Sequence, residues 1–114
     1  MNRYMDIARA AAKQSEMPKQ VGAVVVRGGR VLGIGFNREG SCKATPTAWS
    51  RHAEISACIN TDVRGATVYV WRGHKTTDAP RMSRPCPSCH AYLTLAGVKA
   101  IVFSVNDGWE KERV

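Results

Sequence analysis

Acidic residues, aromatic residues and long apolar runs are all scarce in this sequence. Asp and Glu together number 9 against 17 Lys and Arg, so the 114 residues carry a formal net charge of +8. This deficit of negative charge favours anionic partners such as nucleotides, polynucleotides or anionic surfaces, and a solvated surface that keeps the protein soluble is the alternative. No apolar run approaches the roughly 20 residues of a membrane-spanning helix, and the first residues lack the hydrophobic core of a secretory signal. We therefore expect a cytoplasmic protein without a membrane partner.

The sequence contains 4 cysteines, and a reducing compartment determines how they are interpreted. Cys86 and Cys89 are spaced as C-x-x-C, which in such a compartment favours metal ligands over a disulfide. Cys58 lies in an apolar helical stretch, and this predicts a small buried hydrophobic side chain. The chain is long enough for one ordinary domain with its own core, so residues 1–114 are predicted to form a single domain.

Hydrophobic spacing and capping residues predict three helices. Apolar residues at i, i+3 and i+4 mark the first helix, Ser50 is the expected N-cap of the second, and Pro87 suits the first turn of the third. Gly97 is a suitable C-cap for that last helix. The predicted ranges are 2–15, 51–60 and 87–97.

Turn signals and β-branched runs predict a mixed sheet, and therefore an α/β fold. Two runs between residues 20 and 36 flank Gly28-Gly29, which predicts an antiparallel hairpin. Asn106-Asp107-Gly108 predicts a second hairpin at the C-terminus. The remaining strands are predicted at 66–71, at 99–105 and from the second turn to residue 114, with loops at 37–50 and 72–84.

Two short motifs carry the chemistry: His-Ala-Glu at 52–54 and Pro-Cys-Pro-Ser-Cys at 85–89. A catalytic zinc site takes three protein ligands and leaves the fourth position to water, and His52, Cys86 and Cys89 supply one imidazole and two thiols. Both motifs fall at predicted helix starts, where the helix dipole favours a thiolate. Glu54 lies two residues beyond the imidazole, so its carboxylate is placed to move protons. This combination is the signature of a zinc-dependent base deaminase.

The motifs and the order of elements resemble the cytidine deaminase superfamily, the zinc-dependent cytidine and deoxycytidylate deaminases, especially its short single-domain members from bacteria and phages. The resemblance covers nearly the whole chain. It implies a three-layer fold in which helices pack on a mixed five-stranded sheet that ends in a β-hairpin. It also implies one Zn²⁺ per chain on His52, Cys86 and Cys89, with Glu54 as the proton shuttle.

The same resemblance implies substrate contacts. The backbone at Ala53 would help to hold the pyrimidine, Asn37 would contact the sugar, and Glu39 would contact a 3′-hydroxyl. An ordinary turn residue is the alternative for Asn37. Trp49, shortly before His52, is a candidate for stacking on the base, with core packing as the alternative.

Four cations that precede the cysteine pair are predicted to bind a substrate phosphate, a plain solvated loop being the alternative. They are Arg72, Lys75, Arg81 and Arg84. Trp71, next to the first of them, is a further candidate for base stacking.

We therefore expect hydrolytic deamination of a cytosine nucleoside or nucleotide, such as cytidine, deoxycytidine or dCMP. The first alternative is a deaminase of tRNA or single-stranded DNA. The second is a non-catalytic zinc module that binds nucleic acid, in which Cys42, Cys58 or His90 would complete four protein ligands. Histidine as first ligand resembles the deoxycytidylate, tRNA-adenosine and riboflavin-pathway branches more than the free-cytidine deaminases. The C-terminal hairpin departs from the deoxycytidylate and tRNA-adenosine branches, so the substrate stays open. A homo-oligomer is expected, because the family commonly assembles through its helices.

Overall fold

The computed structural model describes residues 3–16, 19–39, 50–51, 53–58, 61–74, 77–83, 85, 87–106 and 108–113. Its helices are α1 (Arg3–Ala12), α2 (Ala53–Cys58) and α3 (Pro87–Ala96). Its strands are β1 (Lys19–Arg27), β2 (Arg30–Phe36), β3 (Arg38–Glu39), β4 (Ser50–Arg51), β5 (Thr67–His74), β6 (Thr77–Arg81), β7 (Ala100–Val105) and β8 (Gly108–Arg113). Within these ranges, every helix is too short or too polar to span a membrane.

The main sheet follows the order β2-β1-β5-β7-β8, and β6 lies beside β5 as a sixth strand. β5 and β7 are parallel, whereas the other neighbouring pairs are antiparallel. The parallel pair needs a crossover connection, and α3 lies within it. The predicted mixed five-stranded sheet and C-terminal hairpin are confirmed. β6 was predicted as loop, and β3 and β4 form a small separate sheet.

The turn between β1 and β2 forms as its glycines predict. Gly28 has a φ of 59° and Gly29 a φ of 78°. A two-residue hairpin turn of type I′ needs positive φ at both central residues, and glycine adopts such values without steric cost. The hairpin predicted at 20–36 is therefore confirmed.

Helices cover both faces of the sheet. α1 packs through Met5 and Ala8 against one face, where Val24 and Trp71 lie. α2 and α3 lie on the other face, over a larger core whose strand residues are Ala23, Val25, Val68, Val70, Ile101 and Phe103. Because both faces are covered, successive residues of β1 are buried instead of alternating with exposed ones. The three-layer arrangement is thus confirmed.

Trp71 belongs to the layer under α1. It is 4% exposed, and the Nζ atom of Lys13 lies 5.4 Å from the centre of its ring. Trp71 is therefore a core residue on the face opposite to α2 and α3, and the stacking interpretation was wrong for this side chain.

Two glycines let the helices sit close to the sheet. A Cβ at Gly33 would overlap the carbonyl oxygen of Ala57 in α2, and a Cβ at Gly22 would overlap backbone atoms of Ala8 and Ala12 in α1. These contacts set how closely α1 and α2 approach the hairpin of β1 and β2.

Several predicted boundaries are corrected by tertiary contacts. α1 ends at Ala12 because Ser15 turns away, and its hydroxyl donates to the carbonyl oxygen of Asn37 at 2.8 Å. Ser50 lies in β4 and is not the N-cap of α2. β5 continues to His74 and pairs with β6, so the segment predicted as loop 72–84 is partly a hairpin. α3 starts at Pro87 and ends before Gly97, whose φ is 88°, as predicted.

Candidate active site

The first turns of α2 and α3 carry the candidate catalytic residues that the structure describes. Ala53 and Glu54 open α2, and Cys89 lies in the first turn of α3, which begins at Pro87. Ile55 and Cys89 are both fully buried and pack together, with Tyr92 against them. The two helix starts therefore adjoin each other at these residues.

Glu54 is 5% exposed and is the only buried carboxylate among the described residues. A carboxylate is rarely buried without a partner or a task, because removing its charge from water is costly. α2 packs over β1 and β2, with its neighbours Ala53 and Ile55 fully buried. The local sequence explains why Glu54 is buried: the apolar residues on both sides of it pack in the core, and the first turn of α2 is buried with them.

Cys58, at the end of α2, is chemically quiet. Burial, followed by the negative charge of Glu54, raises the pKa of its thiol from 9.0 to about 12. Cys58 packs in the core between the sheet and α2, and among the described residues it forms no group with Glu54 and Cys89 that could hold a metal. The prediction of a small buried hydrophobic side chain is confirmed, since Cys58 is 2% exposed.

Several predicted site residues lie outside the residues that the structure describes: His52, Cys86, Trp49 and Arg84, together with Cys42 and Lys75. Within the described part of the chain, no three His, Cys, Asp or Glu side chains converge in a way that could hold a metal. Two of the three predicted ligands are not in that part. The ligand set therefore stays a prediction from the motifs.

Asn37 has a clear structural role. Its Oδ1 accepts the backbone N–H of Val21 at 2.8 Å, and its Nδ2 donates to the carbonyl oxygen of Lys19 at 2.7 Å. The side chain is 8% exposed and links the end of β2 to the start of β1. A sugar contact through Asn37 stays a prediction. Glu39 lies in β3 next to it, with its side chain outside the described part.

A pair of buried hydroxyls holds the segment that leads to α3, and no sequence pattern indicated it. The Ser104 hydroxyl accepts the N–H of Arg72 at 3.1 Å and donates to the carbonyl oxygen of Arg81 at 2.7 Å. The Ser83 hydroxyl accepts the N–H of Ser104 at 2.7 Å and donates to the carbonyl oxygen of Val70 at 2.9 Å. These bonds join β5, β6 and β7 directly before the cysteine motif. Isolated serines in a strand and a loop carry no periodic signal, so the network could not be predicted.

The fold and the described part of the site define a three-layer α/β/α protein whose candidate catalytic groups lie on two adjoining helix starts. The model of the cytidine and deoxycytidylate deaminase zinc-binding region matches residues 1–105. The chain therefore belongs to the cytidine and deoxycytidylate deaminase family, whose members are hydrolases of C–N bonds.

The chain is similar to several deoxycytidylate deaminases. A deoxycytidylate deaminase from Schizosaccharomyces pombe is 30% identical over 90% of this chain, but the chain spans only 36% of that protein. One from Mycobacterium phage D29 is 29% identical over 88% of this chain and 90% of its own length. The dCMP deaminase of cyanophage S-TIM5 superposes with a TM-score of 0.66 at 26% identity, covering 89% of this chain and 79% of the phage enzyme. The S-TIM5 enzyme has also been crystallised with dCMP and dUMP.

The donor chemistry of the predicted ligands fits zinc. One imidazole and two thiolates form a borderline-soft set that zinc accepts in tetrahedral sites. Cys89 contributes a fully buried sulfur at a helix start, where the backbone dipole favours negative charge.

Proposed function

We propose that this protein is a zinc-dependent hydrolase that removes the amino group from the cytosine of a nucleotide, with dCMP as the first candidate. The observation that carries the proposal is the burial of Glu54 on the first turn of α2, packed beside the helix of Cys89. The named deoxycytidylate deaminases among the relatives support dCMP over other cytosine compounds.

In this proposal His52, Cys86 and Cys89 hold one zinc ion. Such a zinc ion would lower the pKa of its water to about 7 and would so supply a nucleophile for the amino-bearing carbon of the base. Glu54 would take one proton from the attacking water and deliver it to the ring nitrogen as the C–O bond forms. It would then take up the second proton of that water and deliver it to the amino group, which leaves as ammonia when the C–N bond breaks. One carboxylate would be sufficient, because it passes on each proton that it takes up. The surrounding apolar residues exclude other water and keep the carboxylate oriented.

The decisive experiment compares the wild-type protein with Glu54→Gln on dCMP, deoxycytidine, CMP and cytidine, followed by the ultraviolet change and ammonia release. We expect Glu54→Gln to lose roughly 10²–10⁴-fold in kcat, the usual contribution of a general acid–base group. Zinc content, measured by atomic emission, should stay at one ion per chain in this variant. Cys89→Ser should lose zinc as well as turnover.

Glu110→Gln is the matched control, because Glu110 is an exposed residue on β8. It should keep the wild-type rate and zinc content. If the wild-type protein turns over none of the four compounds, or if Glu54→Gln is fully active, the proposed function is wrong.

A second candidate is deamination of a polynucleotide, and the net charge of +8 favours it. Binding to a single-stranded oligonucleotide would then weaken steeply with salt, and that oligonucleotide would compete with dCMP. The homo-oligomer, the single domain and the cytoplasmic location stay predictions of the sequence analysis.

A further inference from the structure

A surface cavity of about 270 Å³ opens where β1, β5 and β6 meet. The described residues that line it are Lys19, Arg72, Gly73, Arg81, Met82 and Asn106. Three of these residues are cations, and none is a carboxylate. They come from three different strands, so the concentration of positive charge is a property of the fold.

Arg72 and Arg81 are direct register partners on antiparallel strands. Like charges directly opposite each other destabilise a sheet. Nevertheless the Ser104 hydroxyl bonds to the backbone of both residues, at 3.1 Å to the Arg72 nitrogen and 2.7 Å to the Arg81 oxygen. The Arg72 guanidinium also donates to the carbonyl oxygen of Met82 at 3.3 Å. The buried network thus holds two repelling cations in place, and an anion between them would offset the repulsion.

The cavity is connected to the candidate active site on two sides. The carbonyl oxygen of Lys19 accepts the hydrogen bond of Asn37, the residue predicted to contact the sugar. On the other side, Met82 and Ser83 lead through the buried Pro85 into α3, which carries Cys89. Lys19 is thus hydrogen-bonded to the predicted sugar contact, and Arg81 precedes Pro87, the first residue of α3, by six positions in the chain.

We propose that Lys19, Arg72 and Arg81 bind the phosphate group of the nucleotide substrate, an inference that rests on the proposed function. The cavity of about 270 Å³ is large enough to hold a phosphate group. Arginine binds phosphate through two parallel hydrogen bonds, and a nearby lysine adds a point charge. Lys19 could not be included in this phosphate site from the sequence, because nothing in its sequence context connects it with the basic segment at 72–84.

The test compares dCMP with deoxycytidine, which differ only in the phosphate. For each variant the ratio of kcat/KM for dCMP to kcat/KM for deoxycytidine is measured. Arg81→Gln and Lys19→Gln change exposed side chains, so folding should be unaffected. We expect each to lower the ratio by about tenfold or more, the usual cost of one lost charge-assisted hydrogen bond. Arg81→Lys, which keeps the charge but not the two-pronged geometry, should give an intermediate ratio.

A second cationic cavity provides the matched control. It measures about 380 Å³ and is lined by Lys99, Ala100, Lys111 and Arg113, where β7 begins and β8 ends. Lys111→Gln and Arg113→Gln remove the same charge from this cavity and should leave the ratio within about twofold of wild type. A ratio that is unchanged in Arg81→Gln, or that falls equally in the control variants, overturns the proposal. Loss of oligonucleotide binding in Arg81→Gln with an unchanged ratio would also overturn it, in favour of a polynucleotide partner.

A binding measurement separates this proposal from the proposed function. Inorganic phosphate, dUMP and deoxyuridine are titrated into the full chain while backbone amide NMR signals are followed. Phosphate and dUMP, but not deoxyuridine, should shift the signals of Lys19, Arg72 and Arg81. If these signals shift but the protein deaminates none of the tested compounds, the phosphate site is supported and the proposed function is wrong. No shift at these residues in an active enzyme would refute the site alone.

Discussion

Replacement of Ser104 by alanine tests the hydroxyl network most directly. Ser104 is 1% exposed, and its hydroxyl satisfies both the Arg72 N–H and the Arg81 carbonyl oxygen. Alanine leaves two backbone groups without this partner, at about 1–3 kcal/mol for each unsatisfied group. Because partial relaxation reduces the sum, we expect a loss of about 2–4 kcal/mol. That is a large share of the roughly 5–15 kcal/mol that stabilise a typical domain.

Urea unfolding followed by tryptophan fluorescence and circular dichroism measures this loss. With an m-value near the low end of the usual 1–3 kcal/mol/M, the midpoint should fall by roughly 2 M. Thr94→Val is the control, since it removes an exposed hydroxyl that donates to the His90 carbonyl oxygen in α3, and it should change stability by at most about 0.5 kcal/mol. The proposed zinc ion should be lost to a chelator faster in Ser104→Ala, because the Ser104 hydroxyl is hydrogen-bonded to that of Ser83, which lies in the segment before the cysteine motif. If Ser104→Ala is no more costly than Thr94→Val, the network does not stabilise this junction.

Other variants examine the packing of α2, the thiol of Cys58 and the bonds of Asn37. Gly33→Ala should cost about 1–3 kcal/mol by overpacking against Ala57, whereas Gly108→Ala, whose Cβ would meet nothing within 4 Å, should be neutral in the same urea assay. The pKa of Cys58 is raised to about 12, so its stabilising contribution is complete below about pH 9 and is lost as pH rises towards 12. The urea midpoint should therefore fall above pH 9 more steeply in wild type than in Cys58→Ala, and equal slopes would contradict the burial argument. Asn37→Ala should lose about 1–3 kcal/mol with its bonds to Val21 and Lys19; an unchanged stability with a raised KM would instead assign Asn37 to substrate binding.

Local signals predicted much of the fold. Gly28-Gly29 specifies a positive-φ turn, and Pro87 and Gly97 mark the ends of α3, because each acts through its own backbone geometry. The second hairpin was equally readable from its turn residues. β6 was missed because Asp78 and Pro80 disfavour a strand. Backbone hydrogen bonds to Ser104 and β5 outweigh that preference, and they come from residues far away in the sequence.

The candidate site divides in the same way. The motifs that contain His52, Glu54, Cys86 and Cys89 were recognisable because residue spacing within a short motif is a local property of the chain, and the roles of these residues stay predictions. The role of Asn37 between β1 and β2 was not recognisable, since its hydrogen-bond partners are backbone groups of Lys19 and Val21, which precede it by 18 and 16 residues in the sequence. The hydrogen bonds of Ser83 and Ser104 could not be predicted either, because most of their partners are backbone groups far away in the sequence.

The sequence alone indicated deaminase chemistry, because the motif consists of particular residue types at short, fixed spacings. Only the tertiary structure decided that Glu54 is buried and that Trp71 lies under α1 away from the site. It also decided that Lys19 joins Arg72 and Arg81 around one cavity. A sheet brings side chains from separate strands within reach of each other, and no local pattern in a chain records which strands will become neighbours.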